Sequence, residues 1–448
     1  MRFTKLVNLK GDLFATTASF CAQAVLKLCA SLILTRILRP EAYGIITILT
    51  SVLFAVEMLA DLGVNLFVIR DPQAEEPRYL NTAWTIRLGR ALLNGTLVLL
   101  GAPLIAGFFG TAELITPLRV LALWFVLSGL DSMSFPIATR RKCSRIVVYS
   151  ELIATFIATV FSILYCYYSR SYWGMIYATL INRLVHTVMT YRFYPELRPR
   201  LHFDRAAATE ILRFTRFTMP SSILTLALTQ FDKIVFLRLF SLDLLGVYGL
   251  AGNIAGPVES LIMKISQLVL YPRCAHNYRT DRRTFSIKYY TENAKLFVSI
   301  LIMPAAVGGA AQLLISALYD YRYAAAANVL QALMLRAALL SLASPAEDLL
   351  IAAGETQVIL VGNVLRAAWM LTASLAGYFL FGFTGFVYGA ALAGLPPLLY
   401  YYRLQRTKGF LIVRYELYKM AFTLLIAVSA YGSSSLLLSL WPAFRLVV

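Results

Sequence analysis

The sequence predicts an all-α polytopic membrane protein: two six-helix lobes in parallel pseudo-two-fold repeat around a central cavity, plus about one extra C-terminal helix. Three observations carry this. The 448 residues are 59% hydrophobic and only 14% charged, with a mean hydropathy of +0.69, too little polar surface to coat a soluble body of that size. The apolar stretches fall into thirteen segments of about 20 residues, the length at which a helix rising 1.5 Å per residue crosses a hydrocarbon core. Four positions also return at one shift of about 202 residues, Arg36, Glu41, Gly44 and Glu57 recurring as Arg238, Asp243, Gly246 and Glu259, the mark of an internal duplication.

In order, the first copy holds spans 13–35, 42–68, 83–109, 115–136, 147–168 and 172–191. Gln23 and Lys27 interrupt the first of these, which is also too long for the apolar core of a cleaved signal peptide. The run SLILTRILRPEAYGIITIL, from Ser31, reads as apolar helix, Arg-bearing turn and apolar helix, and IVFLRLFSLDLLGVYGLAG, from Ile234, repeats that plan. The second copy holds spans 218–237, 244–270, 295–318, 324–344, 358–381 and 384–402, followed by the extra helix at 420–440. The domains are therefore an N-lobe over 1–191, a cytoplasmic amphipathic linker over 192–217, a C-lobe over 218–404, and a basic loop with the extra helix over 405–448. In the linker, Leu201, Ala208, Ile211, Leu212 and Phe214 make an apolar stripe suited to the inner leaflet. Small-residue runs at 305–311 and 324–328 suit close helix packing, with a kink expected at Pro304. Tyr165, Tyr167, Tyr168, Tyr400, Tyr401 and Tyr402 fall at span ends, as interfacial aromatic residues do.

Loop charge sets the orientation. Arg140, Arg141, Lys142 and Arg145, then Arg192 to Arg213, Arg273 to Lys288 and Arg403 to Arg414 all fall in even-numbered loops, while the odd loops are nearly bare. The positive-inside rule places the N-terminus and the even loops in the cytoplasm. The same loops account for most of the net charge of +18, and no nucleic-acid-binding motif accompanies it. The five cysteines form no CxxC pair, so neither metal nor disulfide is expected, and no cofactor is implied. No hydrophilic segment is long enough for a nucleotide-sugar domain, which argues against an enzyme.

Function is sought in the charges inside spans, because each costs roughly 2.5 to 3.5 kcal/mol to insert. The cations are Lys27, Arg87, Arg90, Arg183, Lys233, Lys264, Arg336 and Arg366; the anions are Glu57, Asp61, Asp131, Asp232 and Glu259. Glu57 and Asp61 share one helix face and Arg87 and Arg90 another. At matched depth, Asp61 would pair with Arg87 and Glu57 with Arg90. Alternatively, Glu57, Asp61 and the repeat-related Glu259 form an ion-coupling site. Arg183 and Lys264 can snorkel, and His186 is expected to bond Arg183. Lys27, Arg90, Lys233, Arg336 and Arg366 remain as candidates to line a cationic cavity that selects an anion.

The stretches LILTRILRPEAYGI, FAVEMLADLGVNLFVIRDP and PRYLNTAWTIRLGRALL, with LISALYDYRYAAAANVLQALMLRAAL and AAGETQVILVGNVLRAAW in the second half, resemble the Wzx-type polysaccharide flippases of the MOP (multidrug, oligosaccharidyl-lipid, polysaccharide) superfamily. The resemblance implies a bacterial inner-membrane transporter. It would flip undecaprenyl-diphosphate-linked oligosaccharide repeat units by alternating access for exopolysaccharide, capsule or O-antigen assembly. Its partners would be that lipid-linked oligosaccharide, membrane lipids, and a polysaccharide polymerase or export machinery. In the matching stretches, Lys27 stands just before the SLIL run and Arg90 in the NTAW-type helix. Thirteen helices depart from the family's twelve or fourteen. The alternative is a MATE-type multidrug/cation antiporter, for which the surplus of cations over acids is the wrong sign; a membrane glycosyltransferase or polymerase is weaker still.

Overall fold

The computed structural model describes residues 9–141, 144–193, 199–213, 226, 239–282 and 284–445. Helices are the only extended secondary structure among them, and they form two compact units, Met1–Leu245 and Gly246–Val448. The first unit contains α1 (Leu9–Ile37), α2 (Pro40–Leu59), α3 (Val64–Arg70), α4 (Pro77–Phe108), α5 (Ile115–Leu130), α6 (Ser134–Arg140), α7 (Ser144–Ser169) and α8 (Trp173–Phe193), and then a short helix α9 over 205–213. Its packing is α4 on α5, α7 on α8 and α1, and α5 on α8. Gly129 of α5 lies so close to Ala91 of α4 that a Cβ there would collide, the small-residue contact by which membrane helices approach.

Two predicted spans of the first unit are broken. Span 42–68 divides into α2 and α3, because Gly63 takes a left-handed backbone with φ 59° and ψ 19° and its N–H donates to Asp61 Oδ1 at 3.0 Å. Span 115–136 divides at 131–133, where the freed backbone finds new partners. Tyr191 Oη donates to Leu130 O at 2.6 Å, Trp84 Nε1 to Asp131 O at 3.1 Å, and Ser132 N to Thr190 Oγ1 at 3.0 Å. Non-helical backbone at membrane depth is tolerated only with such replacements. Summed hydropathy is blind to these breaks, since apolar residues continue on both sides.

The described part of the linker, 199–213, packs against other elements of the first unit. Ala207 N donates to Asp204 Oδ1 at 2.9 Å, capping α9, while Arg78 Nη2 donates to the same oxygen at 2.7 Å and Tyr79 Oη to Glu210 Oε2 at 2.8 Å. The expected membrane-facing stripe therefore divides. Ala208 and Ile211 are buried, Ile211 against the apolar cluster around Phe67, Leu80 and Trp84, whereas Leu201 and Leu212 stay exposed and Phe214 lies outside the described residues. The Ala207 N–H first, and Arg78 second, hold the Asp204 carboxyl below its ordinary value of 3.8. The contribution of this charge is complete above that value and is lost as the pH falls through the lowered one. Asp204→Ala should therefore accelerate tryptic cleavage at Arg205 and Arg213 severalfold at neutral pH in solubilised protein; an unchanged rate would mean that the apolar contacts alone hold α9.

The second unit continues α10 (Leu242–Ile265), which begins in the first, and adds α11 (Tyr271–Thr280), α12 (Phe285–Glu292), α13 (Ala294–Gly309), α14 (Ala311–Leu318), α15 (Ala326–Ala352), α16 (Gln357–Ala391), α17 (Leu395–Thr407) and α18 (Val413–Arg445). A single π-type turn at Ser266–Leu270 joins α10 to α11. Span 295–318 bends by 60° between Gly309 and Ala311. Pro304, the expected kink, stays inside α13. The carbonyl at the bend is satisfied by α18, whose Ser434 Oγ donates to Gly309 O at 3.1 Å. Within α16, Gly382 adopts φ 61° and ψ −136°, a region essentially restricted to glycine. The chain reverses there, with Gly377 packed on Gly385 and Ala373 on Gly389, between the spans predicted to end at 381 and start at 384.

Two further expectations are corrected here. Tyr401 is fully buried and Tyr402 Oη donates to Glu416 Oε2 at 2.6 Å, so neither is an interfacial belt residue; Tyr167 and Tyr168 remain exposed. The extra helix α18 begins ahead of its predicted start at 420 and docks through Lys419, whose Nζ bonds Glu416 Oε1 at 2.6 Å and sits 4.3 Å from the Phe297 ring centroid. Among the described residues, eight helical spans are long and apolar enough to cross a bilayer, or nine with α13 and α14 taken as one bent span. The predicted span 218–237 lies outside the described residues apart from residue 226, and α8 and α10, though 21 and 24 residues long, fall outside that set.

Candidate functional site

Where α5 stops at Leu130, Asp131 turns to φ −54° and ψ 135°, and its side chain, 3% exposed, enters the first unit's helix bundle. Arg87 of α4 meets Asp131 Oδ2 at 2.9 Å, and Arg183 of α8 bonds the same oxygen. His186 Nδ1 stands 3.4 Å from that oxygen, and Thr187 Oγ1 donates to Oδ1 at 2.6 Å. Both guanidinium groups also donate to Ser128 O, at 3.1 Å from Arg87 and 3.4 Å from Arg183. The Arg183 guanidinium carbon lies 5.2 Å from the Trp124 ring centroid, while His186 stands edge-on to Phe135 at 4.9 Å.

Beside this cluster Arg90 of α4 donates to Glu57 Oε1 at 2.6 Å and to Ala60 O at 3.2 Å, with Asp61 Oδ1 at 3.8 Å. Glu57, Arg87, Arg90, Asp131, Arg183 and His186 line a pocket of about 200 Å³, with Trp124 and Phe135 among its other residues. Its lining carries three guanidinium groups, on Arg87, Arg90 and Arg183, and two carboxylates, on Glu57 and Asp131. Glu57 and Asp61 both face Arg90, while Arg87 and Arg183 converge on Asp131. A buried carboxylate in this position is tightly held, and the guanidinium groups that line the pocket are donors suited to an oxyanion. Arg183 Nε, buried, has no hydrogen-bond partner.

The Glu57 and Arg90 contact has the expected geometry, whereas Arg87 turns to Asp131 instead of Asp61. Arg183 does not snorkel, and His186 faces Asp131 instead of Arg183. Of the residues expected to line a cationic cavity, only Arg90 lines this pocket. Lys27 is exposed on α1, and Lys233 lies outside the described residues. In the second unit Arg336 grips Glu259 with Nε at 2.8 Å and Nη2 at 3.2 Å, and half-buried Arg366 lies within electrostatic reach of Glu347. Repeat-related Glu57 and Glu259 each hold an arginine.

Sequence reasoning missed the Asp131 centre. Its signals were present: SGLDSMSFP around Asp131 is dense in helix breakers, and Arg183, His186 and Thr187 share one face of α8 at three- and four-residue spacing. It also placed Glu347 and Asp348 beyond a span ending at 344, but α15 continues to Ala352. Asp348 is buried there, accepting from Ser266 Oγ, which in turn accepts from Ser344 Oγ at 2.9 Å.

Residues 33–328, about two thirds of the chain, match the polysaccharide biosynthesis protein family. The chain belongs to that family. Among relatives it is 24% identical to the lipopolysaccharide biosynthesis protein WzxC of Escherichia coli (strain K12), over 80% of this chain and 73% of WzxC. It is 22% identical to the succinoglycan biosynthesis transport protein ExoT of Rhizobium meliloti (strain 1021), over 62% of this chain and 55% of ExoT. The fold is similar to that of the lipid II flippase MurJ in its inward closed conformation, with TM-score 0.70 and 14% identity over 97% of this chain and 99% of that one. An inward-facing multidrug resistance MATE family transporter of the MOP superfamily follows, with TM-score 0.68 and 15% identity over 86% and 94%. This family member therefore has the all-α, polytopic fold of MOP superfamily transporters.

Proposed function

We propose that the protein flips undecaprenyl-diphosphate-linked oligosaccharide repeat units from the cytoplasmic to the outer leaflet of the bacterial inner membrane, for exopolysaccharide, capsule or O-antigen assembly. The carrying observation is the pocket in which two arginines share Asp131, on a chain of the polysaccharide biosynthesis protein family. Three guanidinium groups line the pocket, donors that suit an oxyanionic cargo better than a cationic one. In this reading the N-terminus is cytoplasmic and two six-helix lobes alternate access. Lys27, Lys233 and Arg366 add positive charge along the substrate path. The pairs Arg90 with Glu57 and Arg336 with Glu259 hold cation-bearing helices in register, and Glu57, Asp61 and Glu259 are the candidates for ion coupling. A polymerase or export complex would take the flipped unit onward.

The MATE-like fold keeps multidrug/cation antiport as the second reading. The two separate on deletion of the gene. Loss of surface polymer, with lipid-linked repeat units trapped on the cytoplasmic side, supports flipping. Intact polymer with new sensitivity to cationic dyes overturns it in favour of drug export.

A further inference from the structure

Helix α18 lies along the bent pair α13 and α14 and runs in the same direction as α13. Lys419 sits over the Phe297 ring near the start of α13, and Ala427 to Tyr431 meet Gly309 at its end. Most of α18 is left exposed, Leu424, Leu425, Val428, Leu436 and Leu437 included, so it encloses little apolar interior. What it buries is polar and specific. The Lys419 ammonium stands 5.3 Å from the Tyr290 ring centroid and 5.7 Å from that of Tyr289, beside Glu416, while Ser434, 2% exposed, donates to Gly309 O. The two glycines at the bend face different neighbours. A Cβ on Gly309 would stand 2.5 Å from Ala427 O and 2.6 Å from Ala430 Cβ of α18, and one on Gly308 would stand 2.9 Å from Met334 Cβ of α15. Small residues let three helices close on one point. Farther back, Ser341 Oγ of α15 donates to Ile300 O of α13 at 2.9 Å. Arg336, which grips Glu259, lies between Met334 and Ser341, so α13 holds α15 on both sides of it.

We propose that α18 is a positioning helix for Arg336: through Ser434 and Gly309 it sets the bend of α13, and the bend sets where α15 holds Arg336. The proposal rests on the flippase reading for the consequence of misplacing Arg336, and on the packing of the second unit alone for the coupling itself. A carbonyl at a helix bend has lost its donor one turn on, and inside a bilayer no water replaces it. The Ser434 hydroxyl makes the bent form the satisfied one. The Lys419 and Glu416 pair sets where that hydroxyl falls. A buried ion pair yields little net stability after desolvation, and its role here is register: it seats α18 against α12, α13 and α17 about four turns ahead of Ser434. Lys419 and Ser434 both act on Arg336 through α13.

The test is hydrogen–deuterium exchange on the purified full-length protein in detergent, with surface polymer measured in a deletion strain carrying the same variants. Ser434→Ala should speed amide exchange about two- to tenfold, the range for one hydrogen bond, at 310–318 and at 333–341, while α4 and α5 of the first unit keep the wild-type rate. Ser434→Thr, which keeps the hydroxyl, should restore both segments. Gly309→Val, which pushes α18 off the bend, should give the larger change, with export falling severalfold at unchanged membrane levels. If Gly309→Val does not accumulate, Ser434→Ala, a one-atom deletion, carries the test. Combined with Arg336→Gln, Ser434→Ala should add no further loss of export, because both act on one group; additive losses overturn the assignment to Arg336. Fast exchange confined to α18, with α15 at the wild-type rate, overturns the coupling and makes α18 a passive cover of α13. The exchange result needs no cargo, so it stands apart from the flippase reading, which is refuted by a deletion strain that traps no lipid-linked repeat units.

Discussion

Asp131→Ala should cost about 3 to 5 kcal/mol of stability, the range for removing one partner of a buried ion cluster. Arg87 and Arg183 would lose their shared acceptor, Thr187 an acceptor, and the broken end of α5 its tie to α4 and α8. Two guanidinium groups would then face each other with no carboxylate between them. Asp131→Asn, which keeps the shape and loses the charge, should fall between alanine and wild type. Melting monitored by size-exclusion chromatography in detergent reads both, alongside the amount of protein in the membrane. Wild-type melting of Asp131→Ala would show that water or other groups satisfy these arginines, and would remove the cluster as a structural centre.

The Glu259 and Arg336 pair gives the second large effect. Glu259→Gln or Arg336→Gln alone leaves one charge without its bidentate partner, and each should lower stability and export. The double variant should regain stability by about 1 to 3 kcal/mol relative to the sum of the singles, as for groups in direct contact. Recovery of both stability and export would make the pair a helix-registering device. Recovery of stability without export would place Arg336 on the substrate path as well. Additive losses, with no coupling, would sink the pair itself.

Much of the fold was legible because span formation is a local, additive property. Twenty apolar residues cross a bilayer whatever their neighbours are, so α1, α4, α7 and the hairpin at Gly382 fall close to where hydropathy puts them. Breaks were less legible. The disruption at 131–133 is stable only because Trp84, Thr190 and Tyr191, from two other helices, take over the freed backbone groups. The bend near Gly309 likewise uses a hydroxyl more than a hundred residues away, on Ser434.

The candidate site divides in the same way. The sequence by itself pointed to most of the charges that the helices carry, Glu347 and Asp348 of α15 excepted, and to the 202-residue spacing that relates Glu57 to Glu259. Only the tertiary structure decided the pairing: Arg87 with Asp131 in place of Asp61, Arg183 buried over Trp124 in place of a headgroup, and Arg336 held by Glu259. The reason is physical. Composition and periodicity fix the cost of burying a charge, but the partner that offsets the cost is set by distances of 3 to 4 Å between helices, and those distances exist only once the helices have packed.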